Sequence, residues 1–184
     1  MKAKDLRYLR DKYFEEESYA DAMEKSIDLA NECAAELTFD DVFKKGLCHI
    51  KLDENEGAVD TFTKALEMEP GNALALTNKG LGLYNLGRVP EAFAAFAQAL
   101  KLKPDNYPAW HYLALHFLKK YYDTRGAAEK EKLVNALRHI LAIDPEMEAL
   151  PVYDPVDGRE LGMGEFVLLN SNMMELSVDE MTEP

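Results

Sequence analysis

The chain has 184 residues, 47% of them hydrophobic, which suits one compact domain or a short repeat array with a buried core. Its formal net charge of −13 leaves no basic stripe to release counterions from a phosphate backbone or an anionic lipid surface, so neither nucleic acid nor membrane is expected as a partner. Acid is concentrated late: from Glu146 onward there are ten acidic residues and one basic residue, Arg159, and solubility is the plainest role for such a tail. The opening "MKAKDLRYLRDKYFEEE" alternates charges with aromatic residues instead of presenting a secretion signal, and no window is long enough to span a bilayer; a cytoplasmic location is expected. Cys33 and Cys48 are too few for a disulfide framework or a zinc site and read as small buried apolar side chains.

In chain order, "DLRYLRDKYFEEESYADAMEKSIDLA" predicts two helices, the first carried by Leu6, Leu9 and Tyr13 and the second by Tyr19, Ala22 and Leu29. "KKGLCHIKLDENEGAVDTFTKALEMEP" predicts another pair, and "NKGLGLYNLGRVPEAFAAFAQALKLKP" restates it 34 residues later. Gly80, Ala92, Phe96, Ala99 and Pro104 repeat Gly46, Ala58, Phe62, Ala65 and Pro70. In the second copy Leu76, Gly80, Leu83 and Tyr84 recur at helical spacing, Gly87 stops that helix, and Pro90 sits in the first turn of the next. Trp110, Leu113, Ala114 and Phe117 then open a third pair, "KKYYDTRGAAEKEK" predicts a lengthened connection, and "LVNALRHILAIDP" closes at Pro145, 41 residues after Pro104. Beyond it Pro151 and Pro155 discourage helix, while "EFVLLN" and "MMEL" are too apolar to stay in water. A short helix or extended piece within 158–176 is therefore expected to pack on the array, capping its open end or lying along its inner surface.

Gly46, Ala58-x3-Phe62, Ala65 and Pro70, with their copies 34 residues on, resemble the tetratricopeptide repeat, whose signature runs W-x2-L-G-x2-Y, then A-x3-F, then Ala and a closing Pro. The resemblance implies an all-α, right-handed superhelical solenoid of three to four antiparallel hairpins. Its divisions are a degenerate repeat at 1–38, repeats at 39–72, 73–106 and 107–146, and an acidic C-terminal extension at 147–184. Arg10 and Ser26 depart from the pattern, standing where Gly and Phe belong. In this family the first helix of each pair lines a concave surface that takes a peptide or an extended segment of another protein. Carried over by position, that surface presents Phe43, Lys44, Leu47 and Lys51, then Thr77, Asn78, Leu81, Tyr84 and Asn85, then His111, Tyr112, Leu115 and Lys119. Plain packing accounts equally well for any one of Phe43, Tyr84 and Tyr112. The carboxylate clamp of chaperone-binding members is disfavoured: only Asn78 falls in a suitable place, and Leu74, Pro108 and Tyr112 stand where cations are needed.

No catalytic or metal-binding pattern stands out in the sequence. Gly80-Leu81-Gly82 lacks the third glycine of a dinucleotide fingerprint, which falls at Asn85. Asp154, Asp157 and Glu160 suggest calcium, but placing Gly158 sixth puts Tyr153 where the loop needs a carboxylate, so a turn with solvated acids is expected. His111 and His116 point in different directions on one helix and form no ligand set with His49 and His139. The expectation is a non-catalytic protein-interaction module with no cofactor and no metal. Two alternatives stand beside it: an acidic cargo chaperone that shields a partner before secretion or assembly, and an enzyme subunit with an unrecognised site. Self-association through the end helices stays open.

Overall fold

The computed structural model describes residues 2–154, 156, 158–170, 176 and 180–181. Eight long helices follow one another: α1 (Ala3–Glu15), α2 (Tyr19–Glu32), α3 (Phe39–Lys51), α4 (Asn55–Met68), α5 (Ala73–Asn85), α6 (Val89–Leu102), α7 (Tyr107–Thr124) and α8 (Ala127–Ile143). A 3-10 turn at Pro145–Ala149 leads to β1 (Pro151–Tyr153), which pairs antiparallel with β2 (Glu160–Gly162) with Val152 opposite Leu161, and the short helix α9 (Met163–Leu169) comes next. The fold is all-α apart from this two-stranded ribbon. It divides into two compact units, residues 1–95 and 96–184, with the boundary inside α6.

Helix starts are set by local hydrogen bonding. Thr38 and Asp41 form a reciprocal capping box on α3, Asn72 caps α5 through the Ala75 amide, and Asn106 caps α7 through the Ala109 amide. The turns within the first three hairpins are one device used three times. Ser18, Glu54 and Arg88 each donate a backbone N–H to the carbonyl five residues back, on Tyr13, His49 and Leu83, and the preceding residues, Glu17, Asp53 and Gly87, have φ of 58°, 58° and 75°. These are Schellman closures, and only Gly87 adopts the left-handed conformation without steric cost.

In the first unit, α1 packs on α2, α2 on α3, α3 on α4 and α4 on α5. A Cβ on Gly46 would lie 2.7 Å from the ring of Phe62, so the glycine of the first helix exists to admit the aromatic ring of the second. The first repeat inverts the pair: Arg10 stands in the glycine register and Ser26 in the phenylalanine register, and both are buried. Ser26 donates its hydroxyl to the Ala22 carbonyl at 2.9 Å, and the long buried side chain on α1 is that of Arg10. Its charge is met inside: Arg10 Nη1 donates to Asp41 Oδ1 at 2.7 Å and Nε to Asp11 Oδ1 at 2.8 Å, while Arg7 grips the same Asp41 through Nε and Nη2 at 2.9 and 2.7 Å. Cys48 is buried, as expected, whereas Cys33 is only half-buried against the Ala3, Leu6 and Leu29 cluster.

In the second unit α7 packs on α8, and the extra length of this hairpin is not where the sequence suggested. Only Arg125 and Gly126 connect the helices; instead α7 has 18 residues against 13 in α5, and α8 has 17 against 14 in α6. Residues 119–132 include Lys, Ala and Glu, which favour helix, and continue both helices, with left-handed Arg125 ending α7. Trp110 is buried, donates Nε1–H to the Pro104 carbonyl at 2.8 Å, and stacks on His139 with centroids 3.9 Å apart. The 3-10 turn and α9 pack on α8. Phe166 of α9 is fully buried, while Leu168 and Leu169 are exposed. Pro155, Asp157 and residues 173–175 of "MMEL" lie outside the described residues.

Candidate functional site

Within the first unit α3 and α5 touch, which brings together two of the three groups of residues expected on the recognition surface. Phe43 is half-buried, edge-on to Phe62 and stacked with Phe39, each at 5.5 Å between centroids. Lys44 Nζ sits 3.1 Å from both Asp11 and Asp40. Leu47 is half-buried, and exposed Lys51 holds its ammonium 5.5 Å above the ring of Tyr19. On α5, Asn78 donates its amide to the Leu74 carbonyl at 2.8 Å, Leu81 and Tyr84 are half-buried, and exposed Asn85 donates to Asn55 Oδ1 at 2.9 Å. Burial pushes the Tyr84 phenol above its ordinary pKa.

Thr77 does not belong with them. It is 2% exposed and its hydroxyl donates to the Ala73 carbonyl at 2.8 Å, so it faces the interior, where β-branched packing and the backbone acceptor occupy it.

The third group, on α7, lies in the second unit. His111 stacks with Tyr107 at 5.7 Å and meets Tyr112 edge-on at 5.8 Å; Tyr112 stacks on Phe96 at 5.7 Å and burial raises its phenol pKa. Leu115 and Lys119 are exposed. His116, half-buried, has its pKa lowered, first by burial and then by the charges of Lys120, Lys119 and Lys132. Among the described residues no group of His, Cys, Asp and Glu could hold a metal ion.

Two features escaped the sequence. The first is the turn after β1, expected to carry solvated acids. Asp154 is instead 3% exposed and accepts from Tyr121 Oη at 2.7 Å, Lys130 Nζ at 2.8 Å and the Val156 amide at 2.9 Å. Burial alone would raise its pKa, but these donors outweigh it and hold the carboxyl below its ordinary range. Lys130 in turn lies over the rings of Tyr121 and Phe166. The second is an apolar cavity of about 270 Å³, walled by His111, Leu115 and Leu118 of α7, by Leu133, Leu137 and Ile140 of α8, and by Val152 and Met163. The sequence signal for the first was a group of acids in a proline-containing turn, which looks the same whether its first member is exposed or buried.

Antiparallel hairpins, three of them closed by the same turn, with the ring of Phe62 seated against Gly46, define a helical-repeat protein. Residues 42–72 and 73–106 each match the tetratricopeptide repeat family, and the chain is a tetratricopeptide-repeat domain protein. Solved structures similar to it include MamA and YrrB. MamA from Desulfovibrio magneticus RS-1 matches with a TM-score of 0.63 at 22% identity, covering 78% of this chain and 76% of that one. YrrB, described as a TPR protein with an unusual peptide-binding site, gives 0.63 at 19% identity over 78% and 70%. At these identities the likeness shows the fold. Among curated proteins, the probable UDP-N-acetylglucosamine–peptide N-acetylglucosaminyltransferase SPINDLY of Solanum lycopersicum is 35% identical over 71 residues, 39% of this chain, as is that of Petunia hybrida. The chain spans about 8% of the length of these relatives. No described helix is long and apolar enough to cross a membrane. The repeats make the chain a protein-interaction module.

Proposed function

We propose that the chain is a non-catalytic binding module that holds a peptide or extended segment of a partner protein against its first helices, the first unit offering Phe43, Leu47, Leu81 and Tyr84 and the second, taken by itself, Tyr112 and Leu115. The observation that carries the reading is preorganisation. Lys44, Lys51, Asn78 and Asn85 are accessible yet already fixed by a carboxylate, a ring, a carbonyl and an amide. Half-buried rings beside them are held by other rings. A partner then meets apolar anchors and hydrogen-bonding ends whose ordering cost has largely been met on folding. YrrB's described peptide binding on the same fold supports this reading.

The test is to pan a displayed random-peptide library on the full chain and measure the selected peptides against Tyr84→Ala and Tyr112→Ala. About tenfold weaker binding in either variant, with helicity unchanged, is the expected result. Selected peptides whose affinity is the same for both variants, or no selection at all, overturn the reading. Capture of unfolded polypeptides in preference to defined peptides would point to the cargo-chaperone role.

A further inference from the structure

We infer that a pocket among α2, α3 and α4 binds a small phosphomonoester, a compound with one phosphate on a short apolar body. The inference goes beyond the first-helix peptide surface and shares no residue with it.

The pocket lies wholly within the first unit and has a volume of about 170 Å³. A cavity of about 150 Å³ is enough to hold a benzene ring. Ala30 of α2, Val42 of α3 and Leu37 just before α3 form its apolar wall.

Thr61 of α4 also lines it, is 8% exposed, and has no hydrogen-bond partner for its hydroxyl among the described residues. Other helical threonines of this unit spend that hydroxyl on the carbonyl one turn back, Thr63 on Val59 and Thr77 on Ala73, each at 2.8 Å. Among the described residues no fully buried side-chain oxygen lacks a partner, so the Thr61 hydroxyl must reach open space. The open space that Thr61 lines is this pocket.

Two cations accompany the hydroxyl. Lys64 follows Thr61 by about one turn of α4, and half-buried Lys45 approaches from α3. Neither is ion-paired among the described residues, although acidic residues outnumber basic ones 34 to 21 and Lys12, Lys25 and Lys44 of the same unit each have a carboxylate. Asp41 reaches the wall too, but its charge is already met by Arg7 and Arg10, so the lysines leave the pocket positive.

The remaining polar wall is Ser26, whose hydroxyl donates to the Ala22 carbonyl and has no hydrogen to offer an anion. Three donor groups are then free: the Thr61 hydroxyl and the Lys45 and Lys64 ammoniums. A phosphomonoester presents three terminal oxygens and a charge of about −1.5 to −2 at neutral pH, which matches three donors and two cations. A carboxylate brings two oxygens and one charge. Lysine serves phosphate as a point charge, without the planar fork that arginine offers a carboxylate. The body attached to the phosphate lies against Ala30, Leu37 and Val42.

The probe is phenyl phosphate, titrated calorimetrically into the full chain at pH 7.5 and low salt, beside benzoate and inorganic phosphate. Phenyl phosphate should saturate one site. Benzoate, short of charge, and inorganic phosphate, lacking the apolar body, should each bind about tenfold more weakly. Lys64→Met and Lys45→Met should each weaken phenyl phosphate about tenfold, and Thr61→Val, which keeps the shape and removes the hydroxyl, about threefold. Lys64 is exposed, so its variant serves if Lys45→Met does not fold. The absence of saturable binding, binding unaltered by any one of these substitutions in a folded variant, or benzoate or inorganic phosphate held as tightly as phenyl phosphate overturns the proposal. Tyr84→Ala should leave all of these results unchanged, so failure of the first-helix site would be seen separately.

Discussion

Replacing Asp41 with Asn changes almost no volume and removes one charge from the interior of the first unit. The Asp41 carboxylate is 1% exposed and accepts from five donor groups: Arg7 Nε at 2.9 Å and Nη2 at 2.7 Å, Arg10 Nη1 at 2.7 Å, and Thr38 through its amide at 2.9 Å and its hydroxyl at 2.8 Å. An amide accepts at one atom only and turns its NH2 toward one of these donors. Breaking a buried pair costs about 3–5 kcal/mol; Arg10 keeps Asp11 at 2.8 Å and Arg7 is partly solvated, so a loss of about 3 kcal/mol is expected. With a urea slope of about 1–3 kcal/mol/M, the unfolding midpoint should fall by 1 M or more, read by far-UV circular dichroism at neutral pH. The sign of the pH effect also follows. Burial alone would raise the Asp41 pKa, but the hydrogen bonds from Arg7, Thr38 and Arg10 overturn it and depress the carboxyl below its ordinary range. Its contribution is therefore full above the unfolded carboxyl value of about 3.9 and is lost as pH falls from there through the depressed folded value. The gap between the two proteins should close on acidification. A neutral-pH difference below about 1 kcal/mol, or one that does not change with pH, would refute the claim that Asp41 is what makes Arg10 tolerable in a glycine register.

Glu17→Gly should raise the thermal midpoint, since its left-handed φ of 58° costs a non-glycine residue about 1 kcal/mol; Asp53→Gly should gain less, because Asp53 Oδ1 also accepts from Asn55 at 2.7 Å. Gly46→Ala should destabilise despite a helix-propensity gain of about 1 kcal/mol, because the new methyl meets the buried Phe62 ring and overpacking costs about 1–3 kcal/mol; a stabilised variant in urea titration would contradict this. Burial pushes the Cys48 thiol up to about 11, so in the folded chain at mildly alkaline pH alkylation followed by mass spectrometry should label Cys33 and leave Cys48 unmodified until unfolding.

Among what the sequence alone determined are the helix pairs and their register. Small and aromatic residues at a constant 34-residue spacing have no other physical use than letting one helix approach the next. It also placed the accessible first-helix residues, since exposure on a helix follows its period. Tertiary structure decided everything that depends on a neighbour distant in sequence. Arg10 looked like wear in a terminal repeat until Asp41 met its guanidinium, and the seven residues read as a longer loop became helix once α7 and α8 had each other to pack on. Thr77 looked outward until its neighbours turned it in. Asp154 belonged to a solvated turn until Tyr121 and Lys130 enclosed it. The environment of each carboxylate is set by donors 31 and 33 positions away, Arg10 for Asp41 and Tyr121 for Asp154, and spacing along the chain carries no trace of them.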